Sequence, residues 1–226
     1  DLTDDYGDPR DGLNIRILRD RFPSVNQGAA FNSLTFALTY YLPIPENNTW
    51  AFHYFRSDAH VRKEGNTDLE SLKTTQGYYA CGGFAACEAA TLKSSQNQLN
   101  ANKNGSSKSL GGADRLRSYP GNRYQAAHTL FYGTELRWNF NTENTKLDYW
   151  LLQDVQQALQ AVFFWEQGSV AEEIGEIGET IRSSYGSGIR LVTKSGSVYK
   201  FEMATGDEGA EIILFFEYPW MGLFGS

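Results

Sequence analysis

Apolar and polar residues alternate with a period of two along most of this chain, the pattern of strands with one face in each of two environments. In the segment Leu13 to Arg21, Leu13, Ile15 and Ile17 point away from Asn14 and Arg16. From Phe31 to Leu42, Leu34, Phe36, Leu38, Tyr40 and Leu42 share one face, opposite Thr35, Ala37 and Thr39. A tight turn at Pro45 to Asn48 leads into a third strand from Trp50, with Trp50, Phe52 and Tyr54 set against Ala51 and His53. A fourth strand, His128 to Phe140, places Leu130, Tyr132, Thr134, Leu136, Trp138 and Phe140 opposite Gly133, Glu135, Arg137 and Asn139.

Leu147 to Gln160 reads as a short amphipathic helix or as a turn into a fifth strand, Leu159 to Val170, with strand favoured from Ala158 onward. The acidic, Gly-rich loop Glu172 to Glu179 precedes a sixth strand, Ile181 to Thr193. Turns at Lys194 to Ser197 and Gly206 to Gly209 then bound a seventh, Val198 to Ala204, and an eighth, Glu211 to Trp220. No segment shows a convincing 3.6-residue apolar period, so the pattern predicts an almost wholly β chain. One connection stands apart. From about Lys63 to Tyr124 the chain is rich in Gly, Ser, Asn and Lys, far longer than the usual ~4–6 residues, and loops of that length are functional or partly disordered.

Alternation fits both a soluble sandwich and a membrane barrel; what the two faces carry separates them. The polar faces hold Arg16, His53, Glu135, Arg137, Glu166, Arg182, Arg190, Lys200, Glu202 and Glu217 together with glycines, which suits a wet or ion-paired lumen. The opposite faces hold Trp50, Tyr54, Tyr132, Trp138, Tyr185, Tyr199 and Tyr218, often near strand ends, as aromatic girdles require. Mean hydropathy of -0.47 with 14% aromatics is unlike a helical membrane protein, but alternation averages hydropathy away in a barrel. The expected fold is therefore an all-β antiparallel transmembrane β-barrel of about eight strands, one domain over residues 1–226, closed alone or with partner strands.

A formal charge of -7 and a sequence pI near 5.0 argue against a nucleic-acid partner. No basic, apolar leader opens the chain, so Asp1 is read as a mature terminus or as a fragment start. Cys81 and Cys87 suit a short-loop disulfide in an exported chain, with free or metal-binding thiols as the alternative. His53, His60 and His128 show no metal spacing, and His53 with Asp58 reads equally as a polar lumen pair or a catalytic one. No nucleophile elbow or phosphate loop is present. Neither a cofactor, a metal nor enzymatic activity is expected.

Four motifs fall in a suggestive order. Asp4 to Gly12 is an acidic turn ending before a strand. Leu110 to Tyr124 is Gly-rich, with Gly111, Gly112 and the tetrapeptide Leu116-Arg117-Ser118-Tyr119. Glu135-Leu-Arg137 lies in the next strand, and Phe164-Trp-Glu166-Gln-Gly168 one strand later. This order resembles the C-terminal barrel half of the BamA/TamA superfamily of outer-membrane assembly and translocation proteins, without their periplasmic POTRA repeats. Leu116 to Tyr119 is similar to the family's sixth-loop Val/Leu-Arg-Gly-Phe/Tyr motif, and Phe164 to Gly168 to its Phe-x-Asp-x-Gly motif. Ser118 stands where the family has glycine, and Glu166 where it has aspartate.

The resemblance implies that Arg117 folds into the lumen and pairs with Glu166, tying the loop to the wall. Arg117→Glu should then disorder the loop, and Glu166→Arg should partly restore it. It also implies a bacterial-type outer membrane, a lipid bilayer as the surrounding medium, and a role in protein insertion or translocation. The alternative is a structural or interaction subunit whose long loop docks a partner. Side chains nearly fill an eight-stranded barrel, and unpaired edges in lipid are costly, so a protein partner or homo-oligomer completing or docking on the barrel is expected. Residues Met221 to Ser226 follow the aromatic Trp220, where the family ends its closing strand.

Overall fold

The computed structural model describes residues 1–5, 8–140, 157–193 and 198–217. Eight strands form one antiparallel sheet in sequence order. They are β1 (Gly12–Phe22), β2 (Ala30–Ile44), β3 (Asn48–Lys63), β4 (His128–Asn139), β5 (Gln157–Ala171), β6 (Arg182–Thr193), β7 (Val198–Gly206) and β8 (Gly209–Glu217). Each expected strand is present within a few residues. Among the described residues β1 and β8 do not pair with one another, so hydrogen bonds do not close the sheet. At its start β1 is met by the N-terminal segment: the Leu2 amide donates to the Leu13 carbonyl at 2.9 Å and the Asp4 amide to Asp11 at 3.1 Å.

The turn between β2 and β3 shows how sequence sets register. Pro45, Glu46 and Asn47 turn the chain between the paired Ile44 and Asn48, and Glu46 and Asn47 both have positive φ, 66° and 59°. The Asn48 side chain donates to the Pro45 carbonyl at 2.9 Å. That turn fixes Leu38 opposite Tyr54 and Tyr40 opposite Phe52, which keeps the apolar residues of both strands on one side.

The two sides of the sheet carry different side chains. Ser57, Thr129, Gln160, Glu166, Ser184, Arg190 and Glu202 are buried on the inner side. The outer side exposes Ile17, Leu34, Trp50, Trp138, Phe163, Trp165, Tyr185, Ile189, Tyr199, Phe201, Ile212 and Leu214. Trp50, Tyr54, Trp138, Tyr185 and Tyr199, all expected on the outer face, are exposed there. The Glu217 side chain, Tyr218, Trp220, the tail Met221 to Ser226, the turn Lys194 to Ser197 and most of Leu147 to Gln160 lie outside the described residues.

The connection between β3 and β4 corrects the reading of the chain as nearly free of helix. It contains α1 (Leu69–Thr75), a 3-10 turn (Tyr78–Cys81) and α2 (Ala85–Asn104). Asp68 caps α1, accepting from the amides of Glu70 and Ser71 at 3.3 Å each. The α2 helix is built from Ala, Gln, Lys, Ser and Asn, with only Ser95 and Asn102 buried. Apolar periodicity cannot find such a helix, because it has no apolar face; its Ala, Lys and Gln content favours helix by propensity alone.

Candidate functional site

The inner face is filled by the loop that follows α2. Leu110 and Tyr124 exchange backbone bonds of 2.8 and 3.0 Å, closing residues 110–124 into a compact unit. Gly111 and Gly112 have φ of 102° and 105°, and a side chain at Gly111 would meet the Pro120 carbonyl at 2.2 Å, which explains the glycine pair. Within this unit the Gly112 amide donates to the Tyr119 carbonyl at 2.8 Å. Leu110, Leu116 and Tyr119 are fully buried against Phe55 of β3 and Phe131 of β4.

The strand motif on β5 forms the seat. Phe164, Glu166 and Gly168 are spaced by two and so share the inner face. A Cβ at Gly168 would meet Leu110 at 2.7 Å and Leu116 at 3.2 Å, so the missing side chain is where the loop leucines rest. The Arg117 guanidinium lies over the Phe164 ring, 3.6 Å from Cζ to centroid. Its Nε donates to Glu166 Oε1 at 2.7 Å, and the Arg117 backbone amide donates to Glu166 Oε2 at 2.8 Å.

The arginine holds more than one carboxylate. Nη1 donates to Glu202 of β7 at 2.8 Å and Nη2 to Glu135 of β4 at 3.0 Å. Arg190 of β6 bridges the same two carboxylates, at 2.8 Å to Glu135 and 3.2 Å to Glu202. Arg137 donates to the other oxygen of Glu135 at 2.9 Å. The expected pair is therefore a cluster of three arginines and three glutamates, closely packed and charge-balanced. Such burial is tolerable only because the forks and carboxylates satisfy one another.

Of the expected residues, Arg117, Glu166, Glu135, Arg137 and Arg190 meet in this cluster. Arg182 stands apart, its guanidinium over the Tyr124 ring at 3.9 Å. Ser118 does not take a positive φ; that conformation falls on Leu116, at 55°. The Ser118 hydroxymethyl occupies space left by Gly206, where a Cβ would meet Ser118 Oγ at 2.3 Å, and the Ser118 amide donates to Ser184 Oγ at 3.0 Å. Sequence reasoning missed the role of Glu202: alternation put it on the polar face, but only strand register brings β7 opposite the loop. It also missed Asp8 and Gln160, joined by a bond of 2.7 Å.

His53 and Asp58 do not pair. His53 Nδ1 bonds Thr39 Oγ1 at 2.6 Å, and Asp58 binds His128 at 2.7 Å and Arg56 at 2.6 Å. Both alternation and register separate them, since they lie five residues apart on β3 and so face opposite sides. Cys81 and Cys87 form the disulfide, beside exposed Tyr79 and Phe84 at the tip of the helical subdomain. Among the described residues no group of three His, Cys, Asp or Glu is placed to hold a metal ion.

No protein-family model and no curated protein matches this chain. The site therefore has to be read from its own geometry, which is that of a tether. Besides the buried cluster, a surface latch holds the loop to the turn between β7 and β8: Arg123 binds Glu208 at 2.7 and 2.9 Å, and the Tyr124 hydroxyl donates to the same carboxylate at 2.7 Å.

The Arg123 and Tyr124 bonds hold the Glu208 carboxyl below its ordinary value of 4.5. A folded-state pKa below the unfolded one contributes stability above the ordinary value and loses it as pH falls through the folded one. The latch should thus be intact at neutral pH and open only in acid below the ordinary glutamate value. Chemical shifts of the Arg123 side chain across an acid titration would check this; a transition near neutrality would contradict it.

Proposed function

We propose that this chain is an outer-membrane β-barrel of BamA/TamA type, seated in a bacterial-type outer membrane and working in protein insertion or translocation across it. The observation that carries the reading is the inverted sheet: charged and polar side chains buried on the inner face, aromatic and aliphatic ones exposed on the outer. Water offers no reason to leave such a surface bare, whereas a bilayer covers it. The seating of a loop arginine on the carboxylate of a Phe-x-Glu-x-Gly strand supports the family assignment over other barrels. Among the described residues no helix is long and apolar enough to cross a membrane, which leaves a strand crossing open.

Among the described residues β1 and β8, at the two ends of the sheet, each pair with one strand only, and this calls for partner strands because unpaired backbone groups in lipid cost several kcal/mol each. A protein partner or a second copy completes the wall in this reading. The disulfide-clipped tip, with Tyr79 and Phe84 exposed, favours a second role as an anchoring subunit that docks a partner through its long loop.

Native mass spectrometry of the detergent-extracted particle, with a low-resolution image, tests the reading. Two chains or a foreign chain in a wide barrel would support an assembly-type pore, and one chain in a narrow closed barrel would support the anchor. A particle monodisperse in buffer without detergent would overturn both. Cross-linking from the loop then separates the roles, giving nascent barrel substrates in the first and one stable partner in the second.

A further inference from the structure

The buried cluster does not end at the loop. Arg137 turns its Nη1 toward the N-terminal segment, where it donates to the Pro9 carbonyl at 3.1 Å and stands 3.6 Å from Asp8 Oδ1. Asp8 is buried although it precedes the first strand. Its other oxygen accepts from Gln160 Nε2 at 2.7 Å and lies 3.3 Å from Arg10 Nε. The turn that delivers it is held by acidic side chains: Asp4 Oδ1 accepts from the amides of Arg10 and Asp11 at 2.9 and 3.0 Å, and Asp5 Oδ1 from the amide of Asp8 at 3.0 Å.

A continuous chain of contacts thus runs from Asp8 through Arg137 and Glu135 to Arg117, each step made inside the sheet. The strand directions put its ends at opposite edges. The segment before β1 lies at the edge with the turn between β2 and β3, while the loop enters from the edge with the turn between β7 and β8. We propose that the N-terminal turn and the 110–124 loop are coupled across the sheet by this chain, so that the docking of each stabilises the docking of the other.

The sign follows from charge balance. Asp8 is the negative end of the row and Arg117 the positive end. Removing Asp8 leaves an excess of positive charge around Glu135, which weakens the hold on Arg117. Withdrawing Arg117 leaves an excess of negative charge, which repels Asp8. Linkage makes the two effects equal in free energy. A signal that moves the turn on one side of the sheet therefore changes how firmly the loop is held on the other.

Hydrogen exchange of the full chain tests the coupling, and it reads the same in detergent or in buffer, so it does not rest on the membrane assignment. With Asp8→Asn, loop amides such as those of Gly112 and Tyr119 are expected to exchange roughly tenfold faster, while β3 and β4 amides keep their protection. With Arg117→Met, the amides of Asp8, Arg10 and Asp11 should accelerate by a similar factor. At the loop amides the double variant should exchange more slowly than the product of the factors that the two single variants give at those same amides. Asp8→Glu, which keeps the charge, should restore most of the loop protection. The proposal is overturned if Asp8→Asn loosens only the N-terminal segment, or if the two factors simply multiply. Should Asp8→Asn fail to fold, the Arg117→Met readout at the N-terminal amides decides alone.

Discussion

Arg117→Met is expected to lower stability by roughly 3–5 kcal/mol and to free the loop, because it leaves three buried carboxylates facing one another without their shared cation. Methionine nearly matches the arginine stem in length, so the loss is of charge and hydrogen bonds rather than of volume. Trypsin should then cut faster at Arg115, which is half-buried in the docked loop. Arg117→Lys should fall between the two, since an ammonium is a point charge that cannot present a planar fork to Glu166, Glu135 and Glu202 or stack on Phe164. An unchanged unfolding midpoint and cleavage pattern for Arg117→Met would remove the cluster from any account of loop docking.

The same geometry revises the charge-reversal experiment suggested by a simple pair. In the double variant Arg117→Glu with Glu166→Arg, the new glutamate would still face Glu135 and Glu202. Rescue should therefore be slight, and only the single substitution of arginine remains informative.

Ile189→Arg is the second large effect, and it discriminates between environments. Ile189 lies in the middle of β6 on the outer face, between Ala161 and Phe201 on the neighbouring strands, and is half exposed. Facing lipid, an arginine there costs about 2–4 kcal/mol. Facing water, the same change would stay within about 0.5 kcal/mol. Ile174→Arg, in the connection between β5 and β6, supplies the control: it is exposed and outside the strands, so it should be tolerated in either case. Denaturant unfolding from lipid vesicles measures both. Equal tolerance at positions 189 and 174 would argue that the outer face meets water.

The two substitutions probe the two halves of one physical arrangement. An apolar exterior gains nothing from contact with water, so the polar interior must hold the sheet in shape by its own contacts. The loop supplies the filling. Leu110, Leu116 and Tyr119 give it apolar contacts with Phe55 and Phe131, while Arg117 neutralises carboxylates from three strands. A loop held this way is fixed by side-chain contacts, and each tie to it can be loosened separately.

Local pattern determined much of this protein. Alternation alone placed all eight strands and sorted their faces, because a side chain's side in a strand depends only on parity along the chain. Turn chemistry at Pro45 to Asn48 was equally legible, since it depends on residues next to one another. The pairing of Arg117 with Glu166 is what the family resemblance of the motifs implies, and the cysteine pair follows from its short spacing in a chain read as exported. Tertiary structure decided the rest. That Glu202 and Arg190 join the cluster and that Asp8 reaches Arg137 from before the first strand both depend on register across several strands, which no local pattern encodes. The helix α2 escaped for a different reason. Its stability comes from backbone propensity and a few polar anchors such as Asn102, so it leaves no apolar stripe to read.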